Sequence, residues 1–564
     1  MIVLGICDSQ DSGAALFADG RLVAAVNEER LNRVKLWGGF PSGSIREVLR
    51  LGGVGPEQVE AVVLGTRITP NLVPRAWRGV HQGLRKRSGQ FGYLLNAFIT
   101  YQVAARALRV PEAIEAAVAR AVISRDLRAI GIRARLVSVD HHLAHAAGAW
   151  ATSPFDRALV VTVDGLGDGL GVTVSVGERG KRLRRVHAES GFSSLTLYYS
   201  RLTQVLGFTP IKDEGKVNGL AAYTDRLPAL GIARGLLGYR DGSFTTQNRL
   251  LPESPDRPPW SELKRWSREE VAASFQHHLE DVFRQFARHW LRRTGTSRIC
   301  LAGGLFANVK LNQRLAQLDE VEGLYVMPHM GDGGLAVGGV LAWLGSDPEP
   351  LDHLYLGPAP EAAEVEAAVR ASGFPASEPA DLAGEVAKLL AAGRVVARCD
   401  GRMEWGPRAL GNRSILVQAT DGRTIEWLNE RLKRSPFMPF APILPDDEYD
   451  ACIVGGGKAP HAARFMTVAF DVTPRMRDGC PGAVHCDGTA RPQRVSPKTA
   501  PELHRILHEY RRLTGLPALI NTSFNMHEEP IVASPADAVE AFSRARIDAL
   551  ALGRVLVERP AEVA

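Results

Sequence analysis

The chain has 564 residues, too many for one ordinary core, so two or three domains are expected. Its 45% hydrophobic and 23% charged residues are those of a soluble globular protein, and no run of about 18 apolar residues offers a membrane span. The net charge of +6 keeps a nucleic-acid partner open, but Arg75, Arg78, Arg85, Lys86 and Arg87 lack interleaved aromatics, which reads as a solvated helix face and disfavours it.

Ile2–Cys7 reads as a buried strand running into Asp8-Ser9-Gln10-Asp11-Ser12-Gly13, not as a signal peptide, because it has no basic n-region. Ala14–Phe17, Asp19-Gly20 and Leu22–Val26 follow as a hairpin with an Asp-Gly turn. Six scattered cysteines (7, 300, 399, 452, 480 and 486) without a CxxC favour free thiols and a reducing cytoplasm; only Cys480 and Cys486 are spaced to bridge. Residues Tyr101–Ile130 have helical spacing.

Leu136–Val139 is a strand, followed by a helix over Leu143–Trp150 that Asp140-His141-His142-Leu143-Ala144-His145 opens. His141 and His145 are four apart, so their imidazoles share a helix face and can hold one cation; His142 points elsewhere. Carboxylates should complete such a site. Asp164, ending the strand Ala158–Val163, and Asp332 in Met330-Gly331-Asp332-Gly333-Gly334 are the candidates. Two His and two Asp suit Fe(II), Mn(II) or Zn(II) better than Mg(II). Taken alone, HxxxH is more often a pair of ordinary helix residues. Ala158–Val163, the turn Asp164–Gly169 and Leu170–Val176 repeat the strand–turn–strand plan of the N-terminus, which points to a duplicated α/β fold.

Asp213–Gly219 reads as a polar loop in which Lys216 can meet phosphate, although a solvated turn is the commoner fate. Ser267–Arg293 is an amphipathic helix with Val271, Phe275, Leu279, Val282, Phe283, Phe286 and Trp290 on one stripe. Gly303 and Gly304, between a strand and a helix, let backbone N–H groups approach phosphate. Ser346–Pro350 is the best linker, placing the main boundary near 350. Helices over Glu361–Ser372 and Leu382–Ala392 follow, then a strand-and-loop region rich in Gly, Pro and Arg to the C-terminus. After the strand Val395–Cys399, Glu404-Trp405-Gly406-Pro407-Arg408-Ala409-Leu410-Gly411-Asn412-Arg413-Ser414 puts two guanidinium groups on a Gly/Pro-shaped turn. Their planar forks suit phosphate and carboxylate oxygens.

Together the segments DHHLAHAAGA (140–149), VDGLGDG (163–169), DEGKVNGLAAY (213–223), AGGLFANVKLN (302–312), GDGG (331–334), GRMEWGPRALGNRSIL (401–416), FMPFAPIL (437–444), HCDGTARPQRV (485–495) and LINTSFNMHEEPIV (519–532) make the chain resemble the O-carbamoyltransferases of the NodU/CmcH type, the family of the nebramycin aminoglycoside carbamoyltransferase. The resemblance implies a duplicated actin-like (ASKHA-type) α/β domain over residues 1–350, then a YrdC-like α/β domain over 351–564. It implies that carbamoyl phosphate and ATP form carbamoyl-adenylate in the second domain, and that the carbamoyl group passes to a hydroxyl of a small natural-product acceptor in the first. A cytoplasmic enzyme of antibiotic biosynthesis follows from it, a homodimer being compatible.

Carried over by motif, His141, His145, Asp164 and Asp332 are metal ligands, with Fe(II) ahead of Mn(II) or Mg(II). Gly303, Gly304 and Asn308, with Lys216, meet the nucleotide. Arg408, Arg491 and Asn521 bind carbamoyl phosphate, and Arg408 and Arg491 count as catalytic. Two departures from the family pattern stand out. The first strand usually ends in His-Asp-x-Ser, whereas Gln10 stands here before Asp11; Gln is no base at neutral pH, so Asp11 or metal polarisation must activate the acceptor. In Lys433-Arg434-Ser435-Pro436-Phe437-Met438-Pro439, Arg434 keeps the first family Arg, and Lys433 supplies charge that Ser435 and Met438 do not. The rival functions are a tRNA threonylcarbamoyl-type transferase and a non-catalytic actin-like nucleotide-binding module. Trp37, Phe40, Phe91 and Tyr93, with the basic stretch at 75–87, either line an acceptor entrance or are structural, the second being preferred.

Overall fold

The computed structural model describes residues 1–70, 72, 75, 100–246, 257–420, 422–432, 437 and 439–560. Two compact units emerge: Met1–Glu29 with Leu36–Leu351, and Asp352–Ala564 with the short segment Arg30–Lys35.

Among the described residues, the first unit contains two five-stranded sheets of one design. In the first, β1 (Ile2–Cys7), β2 (Gly13–Ala18) and β3 (Arg21–Asn27) form an antiparallel meander, and β4 (Ala61–Leu64) and β5 (Arg135–Ser138) add in parallel beyond β1. In the second, β6 (Arg157–Gly167), β7 (Leu170–Glu178) and β8 (Arg184–Ser190) form the meander. Past the small hairpin β9 (Leu237–Arg240) and β10 (Ser243–Thr246), β11 (Arg298–Ala302) and β12 (Gly323–Val326) add in parallel beyond β6. The duplication expected from two strand–turn–strand copies therefore extends to strand order and polarity. Both meanders turn on Asp-Gly, with φ +50° and +81° at Asp19-Gly20 and +48° and +84° at Asp168-Gly169. Paired positive φ values are what a two-residue turn between right-twisted strands requires.

The helix Leu335–Leu344 is apolar, and its residues 335–341 are buried. Its backbone lies close to its neighbours at glycines: a Cβ on Gly5 of β1 would overlap the Ala336 carbonyl, and one on Gly338 would overlap that of Ala144. This close approach sets Asp332, just before the helix, beside the helix His141–Ala151. The long helix Arg268–Thr294 runs from a Ser267–Glu270 capping box to a left-handed Gly295, with its expected stripe buried.

Several expectations need correction. The helix over Tyr101–Ile130 is interrupted at Arg109, where φ is +58°; Val110–Ala129 restarts with Pro111 in its first turn, where a missing N–H costs nothing. Asp213–Gly219 is not a loop, because Glu214–Leu220 is helical. Arg75 is no solvated basic residue: its Nε and Nη2 bond the Asp8 carboxylate at 2.7 and 3.2 Å in the interior. Phe40 is buried and Trp37 half-buried, while Arg78, Arg85, Lys86, Arg87, Phe91 and Tyr93 lie outside the described residues.

In the second unit, one sheet runs in the order Ala376–Ser377, Val555–Glu558, Ala549–Leu552, Val396–Cys399, Arg413–Gln418, Leu519–Ser523, Ala441–Pro445 and Gln493–Val495. Leu382–Ala391 and Pro501–Thr514 pack together on it through Val386, Leu390, Leu503, Ile506, Leu507 and Tyr510. The C-terminal region is thus more helical than a strand-and-loop reading allows. Leu503, Ile506, Leu507 and Tyr510 have the helical i, i+3, i+4, i+7 spacing, a signal the turn-rich composition around them obscured. All six cysteines are free thiols, so Cys480 and Cys486 are not bridged. Among the described residues no helix is long and apolar enough to cross a membrane.

Candidate active site

The first constellation is assembled from three elements. Asp140 caps the helix His141–Ala151 through the Leu143 N–H at 3.0 Å and is held by Arg185 and Arg106 at 2.6 and 3.0 Å. Asp168 fixes the same helix start: its carboxylate accepts the His141 N–H at 2.9 Å and the N–H groups of Arg67, Ile68 and Thr69. The β6–β7 ladder breaks between Val163 and Gly167, which releases Asp164 from strand pairing. A Cβ on Gly167 would overlap the His141 ring, so glycine there makes room for the imidazole.

His141, His145, Asp164 and Asp332 converge with their ligand atoms within 4.8 Å of one another. His141 Nε2 is 3.1 Å from Asp164 Oδ2 and 3.5 Å from Asp332 Oδ1; His145 Nε2 is 3.8 and 3.6 Å from the same oxygens. Each carboxylate spends its other oxygen on a protein donor. Asp332 Oδ2 accepts from Ser9 Oγ at 2.7 Å, and Asp164 Oδ1 from the Gly304 N–H at 3.1 Å. Outer partners of this kind aim a ligand and fix its free lone pair. Burial disfavours a charged His141, yet Asp332 and Asp164 hold its imidazole up at about 9. His145 Nε2 is buried without a hydrogen bond. Two carboxylate oxygens and two ring nitrogens, one of them orphaned, fit a divalent cation with mixed N/O ligands. His142 bonds Thr162 Oγ1 and the Leu170 carbonyl, and burial with two imidazole neighbours lowers it to about 3, so it is a neutral packing residue.

Asp11 sits in the β1–β2 turn at φ +58°, with its carboxylate bonded by Asn27 Nδ2 at 3.2 Å. Ser9 of that turn is the partner of Asp332, so the turn borders the cluster. Ser9, Asn27 and His329 were not singled out in the sequence, since each acts across a long stretch of chain and leaves no local pattern; Asp168 was read only as part of a turn.

Gly303 and Gly304 differ from their expected use. The Gly303 N–H donates to the Met330 carbonyl at 2.7 Å and the Gly304 N–H to Asp164, so neither amide is open to phosphate. What the glycines supply is clearance: at φ +103° a Cβ on Gly303 would overlap Val163, and one on Gly304 would stand 3.0 Å from Asp164 Oδ1. The Asn308 side chain caps Val309–Ala316 through the Leu311 N–H and bonds Gln276 and Asn218. Lys216 pairs with Asp213 at 2.9 Å and lies over the Phe208 ring.

In the second unit, Glu404 organises the loop. Its Oε1 accepts from the Leu410, Asn412 and Arg413 N–H groups at 2.7, 2.8 and 3.2 Å. The two arginines then part ways. Arg413 is fully buried and donates to the carbonyls of Pro358, Asp400, Gly401, Asn412 and Ala533, so it is an internal clamp and not a ligand-binding fork. Arg408 has no carboxylate or carbonyl partner among the described residues; its Nε is buried and unbonded, and desolvation lowers it to about 10. Asn521 braces the same loop, donating to the Ala409 carbonyl at 3.1 Å and bonding Gln493, which in turn donates to the Leu410 carbonyl. Arg491 lies two residues before Gln493, half-buried between two short strands. Lys433 and Arg434 lie outside the described residues.

Residues 2–228 and 253–341 match the family model described as Carbamoyltransferase N-terminus, and residues 387–559 the one described as Carbamoyltransferase C-terminus. The nodulation protein NolNO of Sinorhizobium fredii is 30% identical over 97% of this chain and 79% of its own length. An uncharacterised protein of Methanocaldococcus jannaschii is 33% identical over 78% of this chain and 76% of its own. Nodulation protein U of Rhizobium fredii is 36% identical over 44% of this chain and 41% of its own. The crystal structure of full-length HypF in the phosphate- and nucleotide-bound form aligns with 13% identity and a TM-score of 0.36 over 61% of this chain and 46% of that one, too loosely to argue from.

Proposed function

Because this chain belongs to the carbamoyltransferase family and is a transferase, we propose that it is an ATP-dependent O-carbamoyltransferase acting on a hydroxyl of a small acceptor. The observation that carries the ATP-dependent half is Arg408. A desolvated guanidinium without a counter-ion is costly unless an anion completes it, and carbamoyl phosphate and ATP are anions. Glu404, Arg413 and Asn521 hold its loop rigid, which keeps that charge aimed.

In this reading water hydrolyses carbamoyl phosphate to carbamate and phosphate. A carbamate oxygen then attacks the α-phosphorus of ATP as the bond to pyrophosphate breaks, giving carbamoyl-adenylate, from which AMP can later leave. Arg408 offsets charge on the phosphates, with Arg491, Lys433 and Arg434 as further cations. The repeated strand order of the first unit supports an actin-like, ASKHA-type domain; the second unit is proposed to be YrdC-like. His141, His145, Asp164 and Asp332 would hold a divalent cation, with Fe(II) ahead of Mn(II) or Mg(II). Once bound, that cation supplies positive charge for a carbonyl or phosphate oxygen. Ser9 and Gly304 orient its carboxylate ligands, and Asp11 faces the acceptor.

Mass spectrometry of the Fe(II)- or Mn(II)-loaded protein with carbamoyl phosphate and ATP tests this reading. Carbamoyl-adenylate and pyrophosphate are expected. Carbamoyl transfer that proceeds without ATP would refute it.

A further inference from the structure

His329, on the segment leading into Asp332, is an imidazole behind the Asp11 turn. Its side chain is 2% exposed, and its Nε2 stands 3.6 Å from Oδ2 of Asp11, whose side chain is 19% exposed. Asn27, at the end of β3, lies between them. Its Nδ2 donates to Asp11 Oδ1 at 3.2 Å and to the Asp11 carbonyl at 3.3 Å. The same amide presents Nδ2 at 3.0 Å and Oδ1 at 3.1 Å to His329 Nε2.

One ring nitrogen therefore faces both a donor and an acceptor. A bare Nε2 accepts from Nδ2–H, and a protonated Nε2 donates to Oδ1, so Nε2 keeps a partner whether or not it carries the proton. Gly333 permits the arrangement, since a Cβ there would overlap the His329 ring and the Asn27 amide. Asp11 is held at a positive φ, a conformation that neighbouring structure must enforce.

We propose that Asp11, Asn27 and His329 form the proton relay for the acceptor hydroxyl, with Asp11 as the catalytic base and Asn27 and His329 as positioning residues behind it. The proposal rests on the carbamoyl-transfer reading above. The acceptor oxygen bonds to the carbamoyl carbon as the bond from that carbon to the AMP phosphate oxygen breaks. The O–H electron pair stays on the acceptor oxygen, the proton passes to Asp11 Oδ2, and His329 Nε2 receives it next. Only Asp11 is exposed enough to touch an acceptor. The order thus reverses a Ser-His-Asp triad, with the carboxylate outward and the imidazole buried. Gln10 cannot take a proton at neutral pH, and an imidazole from the far end of the same unit stands in.

The test uses full-length Mn(II)-loaded protein with carbamoyl phosphate, ATP and kanamycin A as probe alcohol, water being a second acceptor always present. ATP–pyrophosphate exchange reports activation alone; carbamoyl release to alcohol plus water reports transfer. His329→Gln keeps hydrogen-bonding capacity toward Asn27 but cannot hold a proton. Its kcat for release is expected to fall about a hundredfold, with KM for kanamycin and the exchange rate within about twofold of wild type. Asp11→Asn should lose at least as much, and Asp11→Glu should recover part. Wild-type release by His329→Gln would overturn the relay, whereas absence of exchange in the wild type would overturn the carbamoyl-transfer reading beneath it. A measurement free of turnover is the ¹⁵N NMR titration of His329 in zinc-loaded protein. Asp11→Asn removes the negative charge beside it and must lower its midpoint; an unmoved midpoint overturns the coupling.

Discussion

Asp164 divides its carboxylate between two partners, taking the Gly304 N–H on Oδ1 and turning Oδ2 to His141 Nε2, each at 3.1 Å. A glycine expected to cradle phosphate instead holds the Asp164 carboxylate in place, so the Gly303-Gly304 turn and the four-residue cluster share one hydrogen bond.

Asp332 is aimed in the same way by Ser9. Ser9→Ala is expected to weaken divalent-cation binding about 10–100-fold while all four ligands remain, as outer-partner losses do. Metal content after dialysis against graded chelator measures it; wild-type retention would show that Ser9 does not orient the carboxylate.

Cation binding should also depend on pH. Asp332 and Asp164 hold His141 at about 9 against the penalty of burial, compared with an ordinary 6.5. A cation needs the neutral ring, so affinity is expected to rise about tenfold per pH unit up to about pH 9. The cation-free protein behaves oppositely. A raised folded value stabilises it fully below pH 6.5 and is lost as pH rises through about 9. The Tm gain on adding metal should therefore widen between these limits, and a constant gain would refute the assignment.

Arg408 and Arg413 should respond differently to truncation. Arg408→Ala removes a half-buried, partly desolvated guanidinium that has no carboxylate partner among the described residues, so Tm should hold or rise while pyrophosphate release falls about a hundredfold. Arg413→Ala strands five carbonyls and should cost about 3 kcal/mol or more of stability. Thermal melts alongside exchange assays separate the two; equal destabilisation would make Arg408 structural.

Arg75→Ala leaves Asp8 buried and alone, at an expected cost of about 3–5 kcal/mol. Denaturant melts measure this. The loss should be nearly independent of salt, because the pair is shielded from solvent. A salt-sensitive loss would return Arg75 to the exposed basic face that its neighbours in sequence suggested.

Legibility followed the range of the interaction. Asp19-Gly20 and Asp168-Gly169 announced their hairpins because positive φ is a property of those residues themselves. The buried stripe of Arg268–Thr294 was readable from its 3.6-residue period, and so was the shared face of His141 and His145. Leu503 to Tyr510 carried an equal signal, but Gly and Pro nearby drew attention to turns instead.

Arg408 and Arg413 are chemically identical and stand on one loop, so their own positions could not say which was spent. The carbonyls of Pro358, Asp400 and Ala533 decided it, arriving from three separate stretches of chain. Asn27 and His329 are further apart still, and nothing local marks either as a partner of Asp11. By itself the sequence determined the hairpins, the amphipathic helices, the two-imidazole face and the motifs of the family, all of which depend on neighbours within a few residues. Only the tertiary structure decided which donors were already satisfied and which buried polar atoms were left to bind something else, because hydrogen-bond saturation depends on every group the fold brings within reach.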